Sequence, residues 1–497
     1  MPKRALPRIV IAFFIAIGSL LTSQATAAEL ENLKALAAKN VAITAMVVDI
    51  SRGRIIGELN PDKHLIPASV SKLLIDAASL DRYGPHHRFE TAFLSNGATD
   101  DGELQGDLIF RGGGDPGLTT KGLWELITRL QQNGIEEIQG NLIVDASLFG
   151  KIPCFAKDRC DALKASSNGY SSPLSSAGIN HGAVEIRVKS GHRNGEASRL
   201  ALMPPSLDIP MTGEIETTTR KKRPLYGVRR TTKDGEDQLH AYGQVPSNGG
   251  PYHIYRAVSD PAMHTGRVIA ALLADAGIEL EGTIQVSYTP VQGKLRELAD
   301  YHGEEMGQIL RSMMLYSNNY MADLLTLHQA HKGDPRPVTL PDAGERLENF
   351  VRDVQADAPA WLKTSANAPG LVLHSGSGLT TGNRVAAREL VATLVHMNNR
   401  HDLFPSFLGS LSVPRHAPSR MLSRAGNRDW MNKIAVKTGY LSKPVSVLSL
   451  TGYIRLKDGS WGAFAAITNG TKSRRSVSAR LAMQAIREDL EEIMANY

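Results

Sequence analysis

The chain has 497 residues, 42% of them hydrophobic and 21% charged, with 45 Gly and 25 Pro spread along its length. That much apolar material can bury a sizeable core, which excludes a disordered or collagen-like chain, and the length suits roughly two to four domains. The first 28 residues hold three of the 56 Lys and Arg and none of the 50 Asp and Glu, so the remainder carries about +3, too weak a charge to point to nucleic acid.

The chain begins as a secretory signal would. Lys3, Arg4 and Arg8 make a positive start, Ile9 to Leu21 is almost wholly apolar, and Ala25-Thr26-Ala27 offers small residues for cleavage. An apolar run of about 13 residues is too short to span a bilayer comfortably. Residues 1–28 are therefore expected to be a signal peptide, with export to the periplasm and no permanent membrane anchor after its removal. Val41 to Leu59 then reads as a hairpin turning at Ser51-Arg52-Gly53. Pro67 precedes a helical pattern over Ser69 to Arg82, with Leu73, Leu74, Ala77 and Ala78 on one face.

From about His87 the texture changes to short strands broken by Gly and Asp, such as Gly106 to Phe110, Gly140 to Asp145 and Val184 to Ser190. The two cysteines, Cys154 and Cys160, lie within this stretch; in an oxidising compartment a disulfide is favoured over free thiols. A basic cluster follows (Arg220 to Arg223, Arg229, Arg230 and Lys233) and is expected to be a solvated loop. Helical periodicity returns over Met263 to Ala276 and Met306 to Gln329. The chain closes with strands at Ile434 to Lys437, Val445 to Leu456 and Gly462 to Thr468 and a helix from about Ser478. This order implies an α/β core, residues 29–88 and 262–497, interrupted by a β-rich insertion over 89–261.

Acyl transfer by serine needs a nucleophile, a base and oxyanion donors. Ser69-Val70-Ser71-Lys72 offers the first two, because the i, i+3 spacing puts both side chains on one face of a helical turn. Ser69 is the only serine in the chain with Lys three residues later. A desolvated Lys can lose its proton and serve as the base. Ser317-Asn318-Asn319, between two helical patterns, can aim a Ser and an Asn into a cleft, and Lys437-Thr438-Gly439 ends a strand with a cation, a hydroxyl and an open backbone. Ser166-Ser167-Asn168 and Lys189-Ser190-Gly191 fit the same loose patterns but lack flanking helices. Tyr316-Asn318 is a rival register to Ser317-Asn319. Gly112-x-Gly114-x-x-Gly117 formally fits a dinucleotide fingerprint, but Pro116 and Thr119-Thr120 separate the glycines from the helix proper.

The ordered set Ser-x-x-Lys, Ser-x-Asn and Lys-Thr-Gly matches the signature of β-lactamases and penicillin-binding proteins. The 245 residues from Lys72 to Ser317 exceed what a compact β-lactamase would use. With Pro67-Ala68-Ser69, Gly112-Gly113-Gly114-Asp115-Pro116, Tyr316-Ser317-Asn318-Asn319 and Gly376-Ser377-Gly378-Leu379, the chain resembles the D-alanyl-D-alanine carboxypeptidase/endopeptidase family of low-molecular-mass class C penicillin-binding proteins, the S13 peptidases. The resemblance implies a penicillin-binding, β-lactamase-like core, an antiparallel sheet flanked by helices. It implies a serine-type DD-peptidase acting on peptidoglycan stem peptides and acylated by β-lactams, with no cofactor and no metal. Ser69 would be the acylated nucleophile, Lys72 its base, and Ser317 and Asn319 the proton relay and amide holder. Lys437 and Thr438 would bind the terminal carboxylate beside Gly439. The N–H groups of Ser69 and Tyr440 would form the oxyanion hole, and Asp115 would help recognise a diaminopimelate side chain. Two family charges are missing: Ser375 stands in place of an Asp and Thr381 in place of an Arg, and the stretch Leu411 to Arg420 is altered. The rival readings are a β-lactamase or esterase on the same core and a non-catalytic wall-binding module.

Overall fold

The computed structural model describes residues 29–204, 207–219, 225–247, 249–363, 370–416, 422, 426 and 428–497. The expected signal peptide, the basic residues 220–223 and the end of the altered stretch, 417–420, lie outside the described residues.

The central sheet has five antiparallel strands in the order Arg54–Leu59, Val41–Asp49, Trp461–Gly470, Val447–Arg455 and Ile434–Leu441. Successive side chains of a strand point to opposite faces, and here both faces are covered. Met46, Val48, Ala463, Ala465 and Ile467 pack with the helices Lys72–Tyr83 and Ala387–Asn399. Ile43, Ala45, Val47, Phe464 and Ala466 pack with the final helix, Ala479–Asn496. This two-sided burial is why Val41–Asp49 reads as a nearly unbroken apolar run. Each buried Val or Ile contributes about 1.5–3 kcal/mol. The first helix, Glu31–Ala37, is tied to the last by Asp489, whose carboxylate accepts the backbone N–H groups of Asn32 and Leu33.

The hairpin and the three closing strands appear where the sequence puts them, within two to four residues at their ends. The helical pattern over Met306 to Gln329 is two helices, Met306–Tyr316 and Asn319–Ala330. Ser317, with φ +53°, terminates the first in a left-handed conformation, and the Asn318 side chain caps the second by accepting the Met321 N–H.

The intervening region is β-rich. One of its sheets runs Ile284–Ser287, Leu142–Asp145, Leu108–Arg111, Glu90–Ser95 and Arg296–His302. The helix Pro261–Asp275 packs on that sheet, with Val268, Ile269 and Leu273 in one hydrophobic cluster with Phe93, Phe110 and Val144. The chain therefore returns to the central sheet's helices after His302, and not at residue 262 as the helical periodicity suggested. A helix pattern shows which face is apolar but not which sheet covers it. The basic cluster is also not wholly solvated. Arg230 is fully buried on the inward face of strand Leu225–Lys233, donating to the carbonyls of Ala162 and Ala257 and pairing with Asp237. Cys154 and Cys160 form a disulfide. Among the described residues, no helix is long and apolar enough to cross a membrane.

Candidate active site

A 3₁₀ turn, Ala68–Ser71, leads directly into helix Lys72–Tyr83. Ser69 is partly exposed between buried Ala68 and Val70, while Lys72 is fully buried. Ala68 has φ +52°, a conformation costing an L-residue roughly 1–3 kcal/mol. Its carbonyl accepts the Ser71 hydroxyl at 3.0 Å, and a Cβ at Gly378 would lie 2.0 Å from the same oxygen. Only glycine fits at 378, which accounts for that residue of the Gly376-Ser377-Gly378 segment.

Lys72 Nζ lies 3.2 Å from Ser69 Oγ, 2.7 Å from Asn319 Oδ1 and 2.6 Å from the Ser377 carbonyl oxygen. Burial pushes the Lys72 pKa well down, and the Lys437 charge adds to it. In its neutral form the amine would have two N–H groups for the two carbonyl acceptors, leaving its lone pair for the hydroxyl of Ser69. That is the arrangement of a general base beside a nucleophile.

Lys437 lies on the edge strand of the central sheet, 3% exposed. Its Nζ donates to Ser317 Oγ and to the Thr438 carbonyl, both at 2.9 Å. Burial lowers its pKa to about 7. A Cβ at Gly439 would lie 2.8 Å from the Ser69 backbone nitrogen and 2.9 Å from the Pro67 carbonyl oxygen, so the strand can approach the Ser69 turn only with glycine there. Thr438 is partly exposed and Tyr440 is half exposed beside it. Strand, turn and helix break thus bring together a serine hydroxyl and two buried lysines with lowered pKa values.

The left-handed turn at Ser317 sends Ser317 to Lys437 and Asn319 to Lys72, while Asn318 is spent on its cap and Tyr316 points out, 70% exposed. The rival serine, Ser166, hydrogen-bonds within its own turn to Asn168, and Lys189 ends a strand of a different sheet. The glycines of the 112–117 run are packed against the chain itself. A Cβ at Gly113 would lie 1.7 Å from the Glu90 carbonyl oxygen, and one at Gly112 would meet Ala177.

Asp115 does not join the cluster. It is 2% exposed, with Oδ1 accepting the Gly117 N–H, while a Cβ at Gly303 would meet Oδ2 at 2.2 Å. Burial raises its pKa to about 6. Its neighbours Gly117 and Gly303 belong to the segments that join the β-rich region to helix Met306–Tyr316.

The sequence reading missed a buried network behind Lys72. Asp323, one turn after Asn319 on the same helix, accepts from Ser375 Oγ at 2.6 Å and from the Ser377 N–H at 3.1 Å. Its other oxygen takes Arg159 Nη1 at 2.7 Å. The i, i+4 spacing of Asn319 and Asp323 was a signal available in the sequence. Nothing local marks Arg159.

A sequence profile of the D-Ala-D-Ala carboxypeptidase 3 (S13) family matches residues 23–490. The D-alanyl-D-alanine carboxypeptidase DacB of Haemophilus influenzae is 26% identical over 432 residues, covering 85% of this chain and 84% of its own. The D-alanyl-D-alanine carboxypeptidase of Actinomadura sp. (strain R39) is 26% identical over 448 residues, covering 86% of this chain and 77% of its own. In fold, the chain is similar to the crystal structure of penicillin binding protein 4 (dacB) from Haemophilus influenzae, with a TM-score of 0.74 at 22% identity over 94% of this chain and 100% of that one. With the family profile spanning nearly the whole chain over this fold, the protein belongs to the D-Ala-D-Ala carboxypeptidase 3 (S13) family.

Proposed function

We propose that this serine-type DD-peptidase hydrolyses D-Ala-D-Ala or D-Ala-diaminopimelate bonds of peptidoglycan stem peptides through an acyl-enzyme on Ser69. The observation that carries the reading is Lys72 Nζ, buried and depressed in pKa, 3.2 Å from Ser69 Oγ with both its other contacts to carbonyl oxygens. In this reading Lys72 takes the Ser69 proton as Oγ attacks the carbonyl carbon of the scissile bond. The backbone N–H groups of Ser69 and Tyr440 stabilise the oxyanion. Asn319 holds the substrate amide, and Ser317 carries a proton to the leaving amine. Lys437 and Thr438 bind the terminal carboxylate, a charge-assisted contact, along the strand edge that Gly439 keeps open. Water then hydrolyses the ester. β-Lactams enter as covalent inhibitors because they present the same carbonyl and carboxylate.

The protein acts after export to the periplasm, with residues 1–28 as its signal peptide. Residues 29–88 and 303–497 form the catalytic unit, and the β-rich region between them is an insertion. Incubation with a stem pentapeptide and a crosslinked muropeptide, followed by mass analysis of products and protein, tests the reading. Loss of terminal D-Ala or cleavage of the crosslink, with a transient adduct on Ser69, is expected. Rapid turnover of β-lactams without peptide cleavage would assign the site to a β-lactamase instead.

A further inference from the structure

We infer that Arg159, from the β-rich region, is a positioning residue for Lys72, acting through Asp323 and the Ser375–Ser377 turn. The inference rests on the reading of Lys72 as the base.

Arg159 is 2% exposed, on the short helix Lys157–Asp161 within the loop closed by Cys154–Cys160. Its Nε donates to the Ser172 carbonyl at 2.8 Å and its Nη1 to Asp323 Oδ2 at 2.7 Å. Asp323 is fully buried, and its Oδ1 gathers the Ser375 hydroxyl and the Ser377 N–H. Ser375 Oγ also lies 2.9 Å from Ser377 Oγ. The carbonyl of Ser377 in turn accepts Lys72 Nζ at 2.6 Å. An unbroken line of buried polar contacts thus runs from the β-rich region to the amine beside the nucleophile.

Stability is a poor explanation for this pair. Desolvating two charges offsets most of their attraction, and an apolar pair of similar volume often folds as well. Arg159 Nη2, moreover, is buried without a partner among the described residues. The consequence lies at Lys72. The charged groups facing that amine are Lys437, Asp323 and Arg159; the two cations favour its neutral form and Asp323 favours its ammonium. Asp323 orients the turn that fixes Lys72, but alone it would also hold the proton on it. Arg159 cancels that charge through Oδ2 while leaving Oδ1 of Asp323 to orient the turn.

The test is the rate of acylation of the full chain by a fluorescent penicillin across pH, for wild type, Arg159→Met, Arg159→Lys and Asp323→Asn, with melting curves for each. Arg159→Met should slow acylation by up to about 100-fold, the scale of a misplaced catalytic group, and move the acid limb of the profile to higher pH. Arg159→Lys should leave the limb near its wild-type position. Asp323→Asn should move it to lower pH. The near-isosteric Asn variant keeps the test alive if Arg159→Met fails to fold, since a limb that does not move down in it overturns the charge balance. A folded Arg159→Met with wild-type rate and profile, or a Lys variant no better than Met, also overturns the assignment. Failure of the wild type itself to acylate at Ser69 would instead overturn the reading of the site.

Discussion

Lys437 Nζ donates to Ser317 Oγ over 2.9 Å, joining an edge strand to a break between two helices 120 residues earlier. The site thus holds two buried lysines, Lys437 and Lys72, both with lowered pKa values. They must work in opposite protonation states. Activity should rise as pH climbs through the lowered Lys72 pKa, because the base must be neutral. It should fall above about 7 in the free enzyme as Lys437 loses the charge that binds carboxylate. A bell-shaped kcat/KM profile is expected, and Lys437→Arg, which stays charged, should lose the alkaline limb. An unaltered limb in that variant would assign it to another group.

Labelled penicillin should attach to the wild type on the peptide containing Ser69, and Ser69→Ala should abolish the adduct with the fold intact. Peptide mapping decides this; label on Ser166 or Ser317 would displace Ser69 as nucleophile.

Lys72→Ala should slow acylation by at least about 10²–10⁴-fold, the range of general-base assistance. Lys72→Arg should not restore it, because a guanidinium does not deprotonate near neutral pH. Stopped-flow acylation of both variants is the measurement.

Thr381 is partly exposed on the segment that follows the Ser375–Ser377 turn. An Arg–carboxylate contact is worth about 1.5–3 kcal/mol, so Thr381→Arg should lower KM for diaminopimelate peptides by roughly one to two decades while changing β-lactam acylation little. Asp115→Ala should behave differently. Since that carboxyl is buried at a junction, the variant should lower the melting temperature and affect both substrates alike. A selective loss on peptide alone would return Asp115 to the binding site.

Asp76, one turn after Lys72, is fully buried, accepts the Ser410 hydroxyl at 2.5 Å, and has its pKa raised by burial from 3.8 to about 8. Both folded and unfolded chains hold this proton below about 4, and only the folded chain holds it between there and 8. Stability is therefore lost as pH rises through that window, by up to about 1.4 kcal/mol per unit, and levels off above it. Asp76→Asn should lack this slope, gaining on the wild type as pH rises from 4 to 8. Melting temperatures that run parallel across pH would refute the burial argument.

Sequence alone located the five strands of the central sheet, the helix bearing Lys72 and the candidate site residues. Each rests on local rules: strand periodicity, i, i+3 spacing, and a glycine after Lys-Thr. Ser69, Lys72, Ser317, Asn319 and Lys437 could all be named because their motifs are short and contiguous. Tertiary structure alone decided which residues face one another across hundreds of positions. It gave Ser317, between the two helical patterns, the left-handed turn that sends Ser317 to Lys437 and Asn319 to Lys72. It buried Asp115 and Arg230, whose charges read as exposed until a covering sheet or a paired carboxylate is known. It also brought Arg159 to Asp323 across 164 residues. Local pattern reports what a residue does to its own helix or strand. A buried charge is decided by its partner, and the partner's address is a property of the fold.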